Sequence, residues 1–565
     1  MLFKLKLYFY YIQYYGLKLF IMRVVEEKKT KNCDYQIWFL KHRVDHDTLL
    51  KQCAQIWDYK PKISVVVPLY NTKEEHLKEL IHSLQNQSYD NWELCFVDGS
   101  SNFNQKQEIV EFYSNDDRRI RYQQLNCNLG ISENSNRAIQ MASGDYIGLL
   151  DHDDYLEPDA LFHIATEICK TSCDVLYTDE DKVSEDGLIY SRPTFKPSYS
   201  PFLLRSNNYI CHFFVFHREL YKRVGGFNSL FDGAQDYDFI LRICEKATLI
   251  RHIPRILYHW RSSSDSTSDN PFVKIYAYDA GKRALESHYC RIGLEAIVSK
   301  TRIPGYYHTE FPIMGKPKVA IVQFYEQTKT SGFNMFQKHM NYETYTDYHV
   351  QNVPVCCISE VNQIATQFDY IVILSNDCTP CNKDWITNML EVCQLDEVAV
   401  VGGKILSSNY KVYSTGLTLN RDGDVRHIFQ GLPRCFVGYR NKAITMHNVS
   451  AVSGKYMMIK SCALLEVAGI DPLYKTSLWD VDLCLKVKEG GYQVVYQPSS
   501  MCIIQSDRNK EILEQVDMHD QEYFKKAWRD CFINGDAFYN INLNTEKADY
   551  SLVDMDSCSD SNHIE

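Results

Sequence analysis

Two common phosphate-binding loops are missing from this sequence. No GxGxxG follows the first predicted strand and no GxxxxGK[ST] occurs anywhere, which excludes a dinucleotide-binding fingerprint and a P-loop. Basic residues are also in the minority, because 61 Lys and Arg stand against 72 Asp and Glu for a formal net charge of -11. That balance excludes a broad nucleic-acid-binding surface as the default interpretation. A nucleotide, if bound, must be held by other means.

Long apolar stretches are lacking as well. Of the 565 residues 45% are hydrophobic and 24% are charged, which excludes a disordered, collagen-like or many-helix membrane protein. The length allows about three domains, so more than one core is expected. The 20 Cys are scattered and no signal peptide with a small-residue cleavage site is evident, so we expect reduced thiols. The CxxC at Cys378 and Cys381 lacks a second ligand pair, which argues against a zinc site.

The first 31 residues differ from the rest in charge. They contain seven Lys or Arg and two Glu, a net of +5, and an uncharged aromatic and aliphatic run over 7–17. That run is shorter than the roughly 20 apolar residues that span a bilayer. Basic flanks and helical spacing predict a helix in the headgroup region, within an N-terminal helical segment at 1–58. This implies a cytoplasmic protein with peripheral contact to the inner face of the membrane. A helix packed on the following domain and a start at Met22 are the alternatives.

Strands and helices alternate from residue 61 onward. This alternation predicts an α/β fold with a mostly parallel sheet, in which ligands lie beyond the carboxyl ends of the strands. Asp98 follows one predicted strand end and an acidic cluster at 151–154 follows another. The predicted strands are 63–67, 92–97, 120–124 and 146–150, and the predicted helices between them are 74–86 and 132–142.

The acidic cluster is the most chemically distinctive part of the chain. Asp151, Asp153 and Asp154 place three carboxylates within four residues. Such groups repel one another unless a cation neutralises them, and their hard oxygens suit Mg²⁺ or Mn²⁺. The alternative is an acidic surface turn before a helix N-terminus, which needs no metal.

Five segments, in order, resemble the motifs of family 2 glycosyltransferases. They are PKISVVVPLYN (61–71), WELCFVDGSS (92–101), NLGISENSNRAIQMASGDYIGLLDHDD (128–154), GAQDYDFILR (233–242) and IPRILYHWR (253–261). The resemblance covers about 59–305 and implies a Rossmann-like GT-A domain. It also implies transfer of a sugar from a nucleotide-diphosphate sugar, with inversion at the anomeric carbon.

The resemblance places the nucleoside at the ends of the first two strands. It implies that Pro68, Tyr70, Asn71 and Asp98 contact this part of the donor. The segment VDGSS has one acid where many relatives have two, so one such contact is expected to be missing. Asn136 is a weaker candidate for the same pocket, with a solvent-exposed helix position as its alternative.

The resemblance also implies the metal ligands. Asp151 and Asp153 match the family's Asp-x-Asp, which binds Mg²⁺ or Mn²⁺ and through the ion the sugar diphosphate. The ion would stabilise charge on the leaving nucleoside diphosphate. Asp154 is expected to support the turn. His259 matches a late metal-binding His of some GT-A enzymes, and a packed, hydrogen-bonded His is the alternative.

Asp236 in GAQDYDFILR matches the general base of the family. A base needs an ionised carboxylate within hydrogen-bond reach of the acceptor hydroxyl. Gln235 stands where the commoner motif has an acid, as in a subgroup of relatives, and a helix N-terminal acid is the alternative for Asp236. Asp238 is expected to be structural. Trp260 and Arg261 are candidates for the acceptor or phosphate side, or for a plain cation–π pair.

The second half of the sequence repeats part of this pattern. FDYIVILSNDC (368–378) resembles GDYIGLLDHDD, and WDVDLCLKVKEGGYQVVYQP (479–498) resembles QDYDFILRICEKATLIRHIP. An internal repeat of this kind predicts a second GT-A-like domain over 306–540. An acidic flexible tail is predicted for 541–565.

The repeat makes Asp377 the counterpart of Asp153 and Asp480 the counterpart of Asp236. Ser375 stands where the first metal acid would be, and no VDGS-like strand end precedes it. The nucleoside half of the second domain is therefore expected to be truncated. We expect this domain to bind or orient the glycan, or to pack on the first domain, without donor chemistry.

Two functions fit the sequence. The first is a glycosyltransferase that uses a nucleotide-sugar donor and a hydroxyl of a glycan or lipid-linked oligosaccharide in cell-surface polysaccharide synthesis, with no nucleic-acid partner. The second is a catalytically inactive glycan-binding or scaffolding partner of another transferase. The intact Asp151, Asp153 and Asp236 favour the first.

Overall fold

The computed structural model describes residues 33–100, 104–262, 275–325, 344–354, 357–505, 517–533 and 535–553. The predicted interfacial helix at 1–31 and the end of the predicted tail, 554–565, lie outside these ranges. The described cysteines from Cys53 to Cys531 are free thiols. No helix in the described ranges is both long enough and apolar enough to cross a membrane.

The chain divides into two compact units. Unit one contains the described residues through Tyr199 together with Asn207–Leu294 and Val298–Tyr307. Unit two contains Ser200–Ser206, Glu295–Ile297 and the described residues from His308 onward. Unit one thus ends close to the predicted boundary at 305, whereas the assignment of Ser200–Ser206 to unit two has no counterpart in the sequence-based division.

Unit one is built on a nine-stranded sheet. Its strand order is β3-β2-β1-β4-β8-β6-β9-β5, with β7 beside β6. The first four strands of this order are parallel, β8 is antiparallel to β4, and β6 is parallel to β9. The predicted α/β fold is confirmed. The strands are β1 (Ile63–Leu69), β2 (Trp92–Asp98), β3 (Ile120–Gln124), β4 (Tyr146–Leu149), β5 (Tyr155–Leu156), β6 (Val175–Val183), β7 (Tyr190–Thr194), β8 (Phe214–His217) and β9 (Ile250–Arg261).

Strand β1 shows why this sequence forms a central parallel strand. Its run ISVVVPL is rich in β-branched residues, and the side chains of both faces are buried. A strand that is apolar on both faces is typical of a parallel sheet with helices on either side. The helices up to residue 292, of which α7 belongs to unit two, are α1 (Cys33–His42), α2 (His46–Cys53), α3 (Glu74–Gln85), α4 (Asn104–Asp116), α5 (Ile131–Met141), α6 (Ala160–Thr171), α7 (Pro201–Leu204), α8 (Arg218–Val224), α9 (Gln235–Cys244) and α10 (Ile275–Ile292).

Helix α1 is part of unit one rather than of a separate N-terminal segment. Its aromatic residues Tyr35, Trp38 and Phe39 are buried. The Phe39 ring lies 4.6 Å from that of Tyr190 on β7. The predicted segment boundary at 58 therefore does not follow the packing, because an aromatic helix face buries itself against the domain that follows.

Unit two contains a second nine-stranded sheet. Its order is β13-β12-β14-β21-β16-β22-β15, with β17 beside β16 and β20 beside β22. Two short ribbons, β10 with β11 and β18 with β19, are separate from this sheet. The strands are β10 (Ile297–Lys300), β11 (Tyr307–Glu310), β12 (Val319–Tyr325), β13 (Tyr348–Pro354), β14 (Tyr370–Ser375), β15 (Cys378–Pro380), β16 (Val398–Leu406), β17 (Val412–Ser414), β18 (Leu417–Leu419), β19 (Val425–His427), β20 (His447–Asn448), β21 (Tyr456–Lys460) and β22 (Gln493–Ile504).

The two sheets have the same strand order apart from one edge. The order β13-β12-β14-β21-β16-β22-β15 repeats β2-β1-β4-β8-β6-β9-β5, and β17 corresponds to β7. Among the residues that the structure describes, the second sheet has no strand in the place of β3. The later helices are α11 (Glu360–Ile364), α12 (Trp385–Cys393), α13 (Ser461–Glu466), α14 (Trp479–Glu489), α15 (Met518–Ala527) and α16 (Arg529–Ile533).

The start of the predicted tail is packed. Leu543, Ala548 and Tyr550 are buried, and the Tyr550 ring stacks on that of Tyr439 at 5.4 Å between centroids. Residues 541–553 therefore differ from the flexible tail predicted for them, because their apolar side chains offset the cost of ordering this acidic segment.

Candidate active site

The acidic turn after β4 lies at the carboxyl edge of the parallel strands. Asp98 ends β2 at the same edge, and Asp236 lies in the first turn of α9. Because β8 is antiparallel to β4, the residues just before β8 also meet this edge. His212 lies there, two residues before Phe214.

Asp151, Asp154 and His212 form a compact group. One ligand atom from each lies within 4.8 Å of the other two. Nε2 of His212 is 3.6 Å from a carboxylate oxygen of Asp151, and its Nδ1 is 3.5 Å from one of Glu180. The His212 ring stacks on that of Tyr258 with 4.7 Å between centroids. Packing therefore fixes the imidazole with one nitrogen facing the acidic turn.

The electrostatics of this group suit a cation. Burial, followed by the charges of Asp153 and Asp151, raises the pKa of Asp154 well above its usual value. Burial lowers the pKa of His212, but Cys211, Asp151 and Glu180 outweigh it and hold that pKa well above the usual value. The contributions of neighbouring acids to both shifts reflect negative charge that a divalent cation would offset. Two carboxylates and an imidazole are an acceptable donor set for Mn²⁺ or Mg²⁺.

Asp154 also stabilises this turn through hydrogen bonds. It is buried, and its two carboxylate oxygens accept hydrogen bonds from the Tyr258 hydroxyl at 2.5 Å and from the Arg261 backbone N–H at 2.7 Å. Each oxygen keeps a further lone pair, so these bonds leave room for a metal. The predicted ligand pair is Asp151 and Asp153, whereas the structure groups Asp154 with Asp151 and His212.

Arg261 clamps the acidic turn and does not face an acceptor. Its side chain is 1% exposed. Its Nε donates to the carbonyl of Asp153 at 2.8 Å, another nitrogen donates to the carbonyl of Glu185 at 2.8 Å, and the third is paired with the carboxylate of Glu79. The guanidinium also lies 5.4 Å from the Tyr155 ring centroid. The predicted acceptor or phosphate role for Arg261 is therefore corrected, because all three of its nitrogens are engaged inside the protein.

Trp260 lies beside the metal-binding group. Its ring is 5.2 Å from that of His212, centroid to centroid. The Nζ of Lys182 lies 4.6 Å from its centroid, which forms a cation–π pair. A contact of Trp260 with the acceptor stays a prediction.

His259 is not available as a metal ligand. It is fully buried, with Nδ1 at 2.6 Å from Asp181 and Nε2 at 2.9 Å from Glu157. Burial lowers its pKa, but the two carboxylates outweigh this and raise the pKa to about 10. The prediction of His259 as a ligand is therefore wrong in this structure, because both nitrogens are occupied by carboxylates. The alternative, a packed and hydrogen-bonded His, describes it.

The predicted nucleoside side forms a loop beyond β1 and β2. Tyr70 is 47% exposed and Pro68 is partly buried. The backbone N–H of Asn71 donates to Oγ of Ser100 at 2.8 Å. Asp98 is fully buried and accepts hydrogen bonds from the Ser100 N–H at 2.8 Å and the Tyr122 hydroxyl at 3.0 Å. Asp98 therefore shapes this loop from beneath, while the exposed Tyr70 ring and Asn71 face solvent.

Asn136 holds a backbone segment and does not face the nucleoside loop. Its side-chain oxygen accepts from the Phe227 N–H at 2.7 Å, and its Nδ2 donates to the Phe227 carbonyl at 2.9 Å. A Cβ at Gly226 would lie 2.2 Å from this oxygen, so a larger residue there would displace the Asn136 amide. The predicted role of Asn136 in the nucleotide pocket is corrected, because both ends of its amide are used on Phe227.

Asp236 is linked to the metal-binding group by the segment before β8. Nδ2 of Asn208 donates to a carboxylate oxygen of Asp236 at 2.8 Å, and Sγ of Cys211 lies 4.0 Å from the same oxygen. Burial raises the pKa of Asp236, and the charge of His212 opposes that shift. Asn208 and His212 were not among the predicted site residues. The signal in the sequence was only a few polar residues immediately before the apolar run FFVF.

The second-unit counterparts have different partners. A carboxylate oxygen of Asp377 lies 3.9 Å from Nζ of Lys455. The carboxylate of Asp480 accepts the backbone N–H groups of Gly454 at 2.6 Å and Val481 at 2.9 Å. Neither acid therefore has the surroundings of its counterpart in unit one.

Part of unit one is similar to a known protein family. Residues 64–225 match the family model "Glycosyl transferase family 2". These residues of unit one are therefore similar to the family 2 glycosyltransferase domain. The matched residues include β1 to β8, and with them the acidic turn and His212.

Two known proteins align with most of this chain. An uncharacterized protein of Sinorhizobium fredii is 31% identical over 535 residues, which cover 87% of this chain and 58% of that protein. The O-antigen biosynthesis protein RfbC of Myxococcus xanthus is 27% identical over 556 residues, 92% of this chain and 43% of RfbC. The chain thus spans about half the length of these curated relatives. Residues 1–349 of S. aureus TarS with UDP-GlcNAc align at 24% identity and a TM-score of 0.35, over 41% of this chain and 68% of that one.

Proposed function

We propose that this chain transfers a sugar from a nucleotide-diphosphate sugar to a hydroxyl of a glycan or lipid-linked oligosaccharide, in the synthesis of a cell-surface polysaccharide. The observation that carries this proposal is that one short segment, 208–212, contacts both parts of the site. Asn208 at its start donates to Asp236, and His212 at its end lies beside Asp151 and Asp154. The family 2 domain and the similarity to an O-antigen biosynthesis protein support the reaction class and its setting.

The donor binds at the carboxyl edge of the first sheet. Tyr70 offers an exposed ring for stacking against the base, and Asn71 lies next to it with Asp98 beneath. Asp151, Asp154 and His212 would hold Mg²⁺ or Mn²⁺, with Asp153 beside them on the same turn. The ion supplies positive charge for the phosphate oxygens of the leaving nucleoside diphosphate. Arg261 keeps the turn in place through the Asp153 carbonyl.

Asp236 acts as the general base in a single displacement. The acceptor O–H gives its proton to the carboxylate, the acceptor oxygen forms a bond to the anomeric carbon, and the bond from that carbon to the diphosphate oxygen breaks. Attack from the side opposite the diphosphate inverts the anomeric centre. Asn208 donates to one carboxylate oxygen of Asp236 and so holds the base in position.

A donor panel tests this proposal. The purified chain is incubated with Mn²⁺ and a set of nucleotide sugars, and release of nucleoside diphosphate is measured with and without polysaccharide acceptors. We expect turnover with at least one donor and loss of it in Asp236→Asn. Glu219→Gln serves as the matched control, because Glu219 is an exposed acid outside the site.

Inactivity of the wild-type chain across the panel would favour the second candidate, a glycan-binding or scaffolding partner of another transferase. The observation that favours this candidate is confined to unit two. There Asp377 is paired with Lys455, and Asp480 is bound to backbone N–H groups. Binding of the glycan acceptor without any donor turnover would be its signature.

We also propose peripheral contact with the inner face of the membrane. Helix α1 exposes Ile37 and Leu40, and Gln36 on the same helix donates to the carbonyl of the exposed Leu188. These apolar side chains adjoin a sequence of net charge +5 at 1–31. Co-sedimentation with vesicles containing anionic lipid should decrease when residues 1–31 are removed. Equal binding of both forms would contradict this contact.

A further inference from the structure

The two sheets agree in register as well as in strand order. In unit one Ile63 on β1 pairs with Tyr146 on β4, and Tyr146 pairs with His217 on β8. In unit two Val319 on β12 pairs with Tyr370 on β14, and Tyr370 pairs with Lys460 on β21. Each position near the active edge of unit one therefore has a defined counterpart in unit two.

The register assigns the counterpart of His212 to Lys455. His212 lies five residues before His217, and Lys455 lies five residues before Lys460. Both residues precede the strand that is antiparallel to the acidic strand, β8 in unit one and β21 in unit two. Nε2 of His212 lies 3.6 Å from Asp151, and Nζ of Lys455 lies 3.9 Å from Asp377. A nitrogen group thus faces the acidic turn in both units.

Two further positions of the site have no acid in unit two. Counting from Tyr146 and Tyr370, Asp151 corresponds to Ser375. Asp98 pairs with Leu69 at the end of β1, and the matching pair at the end of β12 is Tyr325 with Pro354. A proline offers no carboxylate to shape the nucleoside loop. Unit two therefore lacks the first metal acid and the nucleoside acid together.

An ammonium group in this position supplies the positive charge that a metal ion would otherwise supply. Lys is a fixed positive charge with three donors and no lone pair when protonated, so it cannot ligate a cation. It attracts the Asp377 carboxylate and repels a divalent ion that approaches the same oxygens. A neutral imidazole, in contrast, can bind a cation because one of its ring nitrogens offers a lone pair.

We propose that unit two is a metal-free copy of the transferase site in which Lys455 supplies the cation, so that each chain binds one divalent ion, in unit one. This inference rests on the proposed function, because it takes the ion of unit one from there. We assign no ion to a second acidic group in unit two, Asp517, His519 and Asp520, whose carboxylates bind backbone N–H groups. The Asp520 carboxylate accepts three backbone N–H groups, those of residues 475–477, and Asp517 caps helix α15.

The number of bound Mn²⁺ ions tests this proposal on the full chain. Free Mn²⁺ is followed by its electron paramagnetic resonance signal as the ion is titrated into protein. We expect one tight site in the wild type. Asp151→Asn and His212→Ala should each weaken that site by about tenfold or more. Asp377→Asn should leave both stoichiometry and affinity unchanged.

The outcomes separate this inference from the function on which it rests. No tight ion in the wild type would contradict the metal site of the proposed function. Two ions per chain, or one ion lost in Asp377→Asn and kept in Asp151→Asn, would overturn the metal-free assignment of unit two. The wild-type count needs no variant, and thermal unfolding of each variant identifies any that fail to fold.

Discussion

Nδ1 of His259 lies 2.6 Å from a carboxylate oxygen of Asp181. The other ring nitrogen is 2.9 Å from Glu157, so the imidazole is held between two buried carboxylates. Helix α1 completes this cluster, because the Tyr35 hydroxyl donates to the second oxygen of Asp181 at 2.6 Å and Arg43 pairs with Glu157. The charged form of His259 therefore stabilises the fold rather than the reaction.

We expect the stability of unit one to fall at alkaline pH. The pKa of His259 is raised from 6.5 to about 10 in the fold. A raised pKa stabilises the folded state fully below the unfolded value and loses that contribution as pH rises through the folded value. The loss should therefore run from about pH 6.5 to pH 10 and amount to at most roughly 5 kcal/mol.

Urea unfolding at a series of pH values measures this effect. His259→Gln is the comparison, because other groups also titrate in this range. The difference in unfolding free energy between wild type and His259→Gln should shrink as pH approaches 10. A difference that stays constant with pH would rule out a charged His259.

Asp236→Asn should abolish most transfer without affecting the metal. Removal of a positioned general base lowers kcat by about 10²–10⁴-fold. Asp236 is not in the group of Asp151, Asp154 and His212, so Mn²⁺ affinity should be unchanged. Donor turnover and Mn²⁺ titration on the same preparation test both parts. Wild-type turnover in this variant would remove Asp236 from the mechanism.

Asn208→Ala should shift the acid limb of the pH profile. The Asn208 amide donates to the ionised carboxylate of Asp236, and such a bond favours the charged form. Its loss should raise the pKa of the base, so the acid limb of kcat/KM moves to higher pH and kcat falls by roughly tenfold.

The matched control for this prediction is Asn207→Ala. The neighbouring Asn207 amide donates instead to the Gly305 carbonyl and leaves Asp236 untouched. The same shift in both variants would indicate a general disturbance of the segment and not a lost bond to the base.

Arg261→Lys should weaken metal binding from a distance. The guanidinium holds the Asp153 and Glu185 carbonyls at once, and Lys cannot reproduce this fork. A looser turn should lower Mn²⁺ affinity by about tenfold. Arg242→Lys is the control, because Arg242 is similarly engaged but with Asp238 and the carbonyls of 224–226. Equal loss in both variants would argue against a specific role for the turn.

The sequence predicts the first sheet well because its strands depend on local composition. The β-branched run of β1 and the apolar run of β2 are buried on both faces, and their bounds in the structure begin where the patterns predict. The predicted acids Asp151 and Asp236 also lie at one edge of the sheet, as expected for residues that follow strands or begin helices there.

The partners of these acids depend on contacts between distant segments. His259 faces Asp181 and Glu157, which are 78 and 102 residues away along the chain. His212 meets Asp151 only because β8 is antiparallel to β4, and no local pattern marks that pairing. A family motif predicts which residue types occur in a site. Whether a histidine nitrogen is available to bind a metal depends on the other residues that contact the ring.

The matching registers of the two sheets bear on how this chain arose. The registers that join β1, β4 and β8 recur between β12, β14 and β21. Copies that differ there by substitution keep such registers, since a single inserted or deleted strand residue would move each following side chain to the other face. The described part of the second copy lacks only the strand in the place of β3, which sits at the edge of the first sheet. An edge strand is hydrogen-bonded to one neighbouring strand, whereas an interior strand is hydrogen-bonded to two. Loss of an edge strand therefore disturbs the sheet least. The absence of this edge strand therefore leaves every ladder between the strands shared by the two sheets in place.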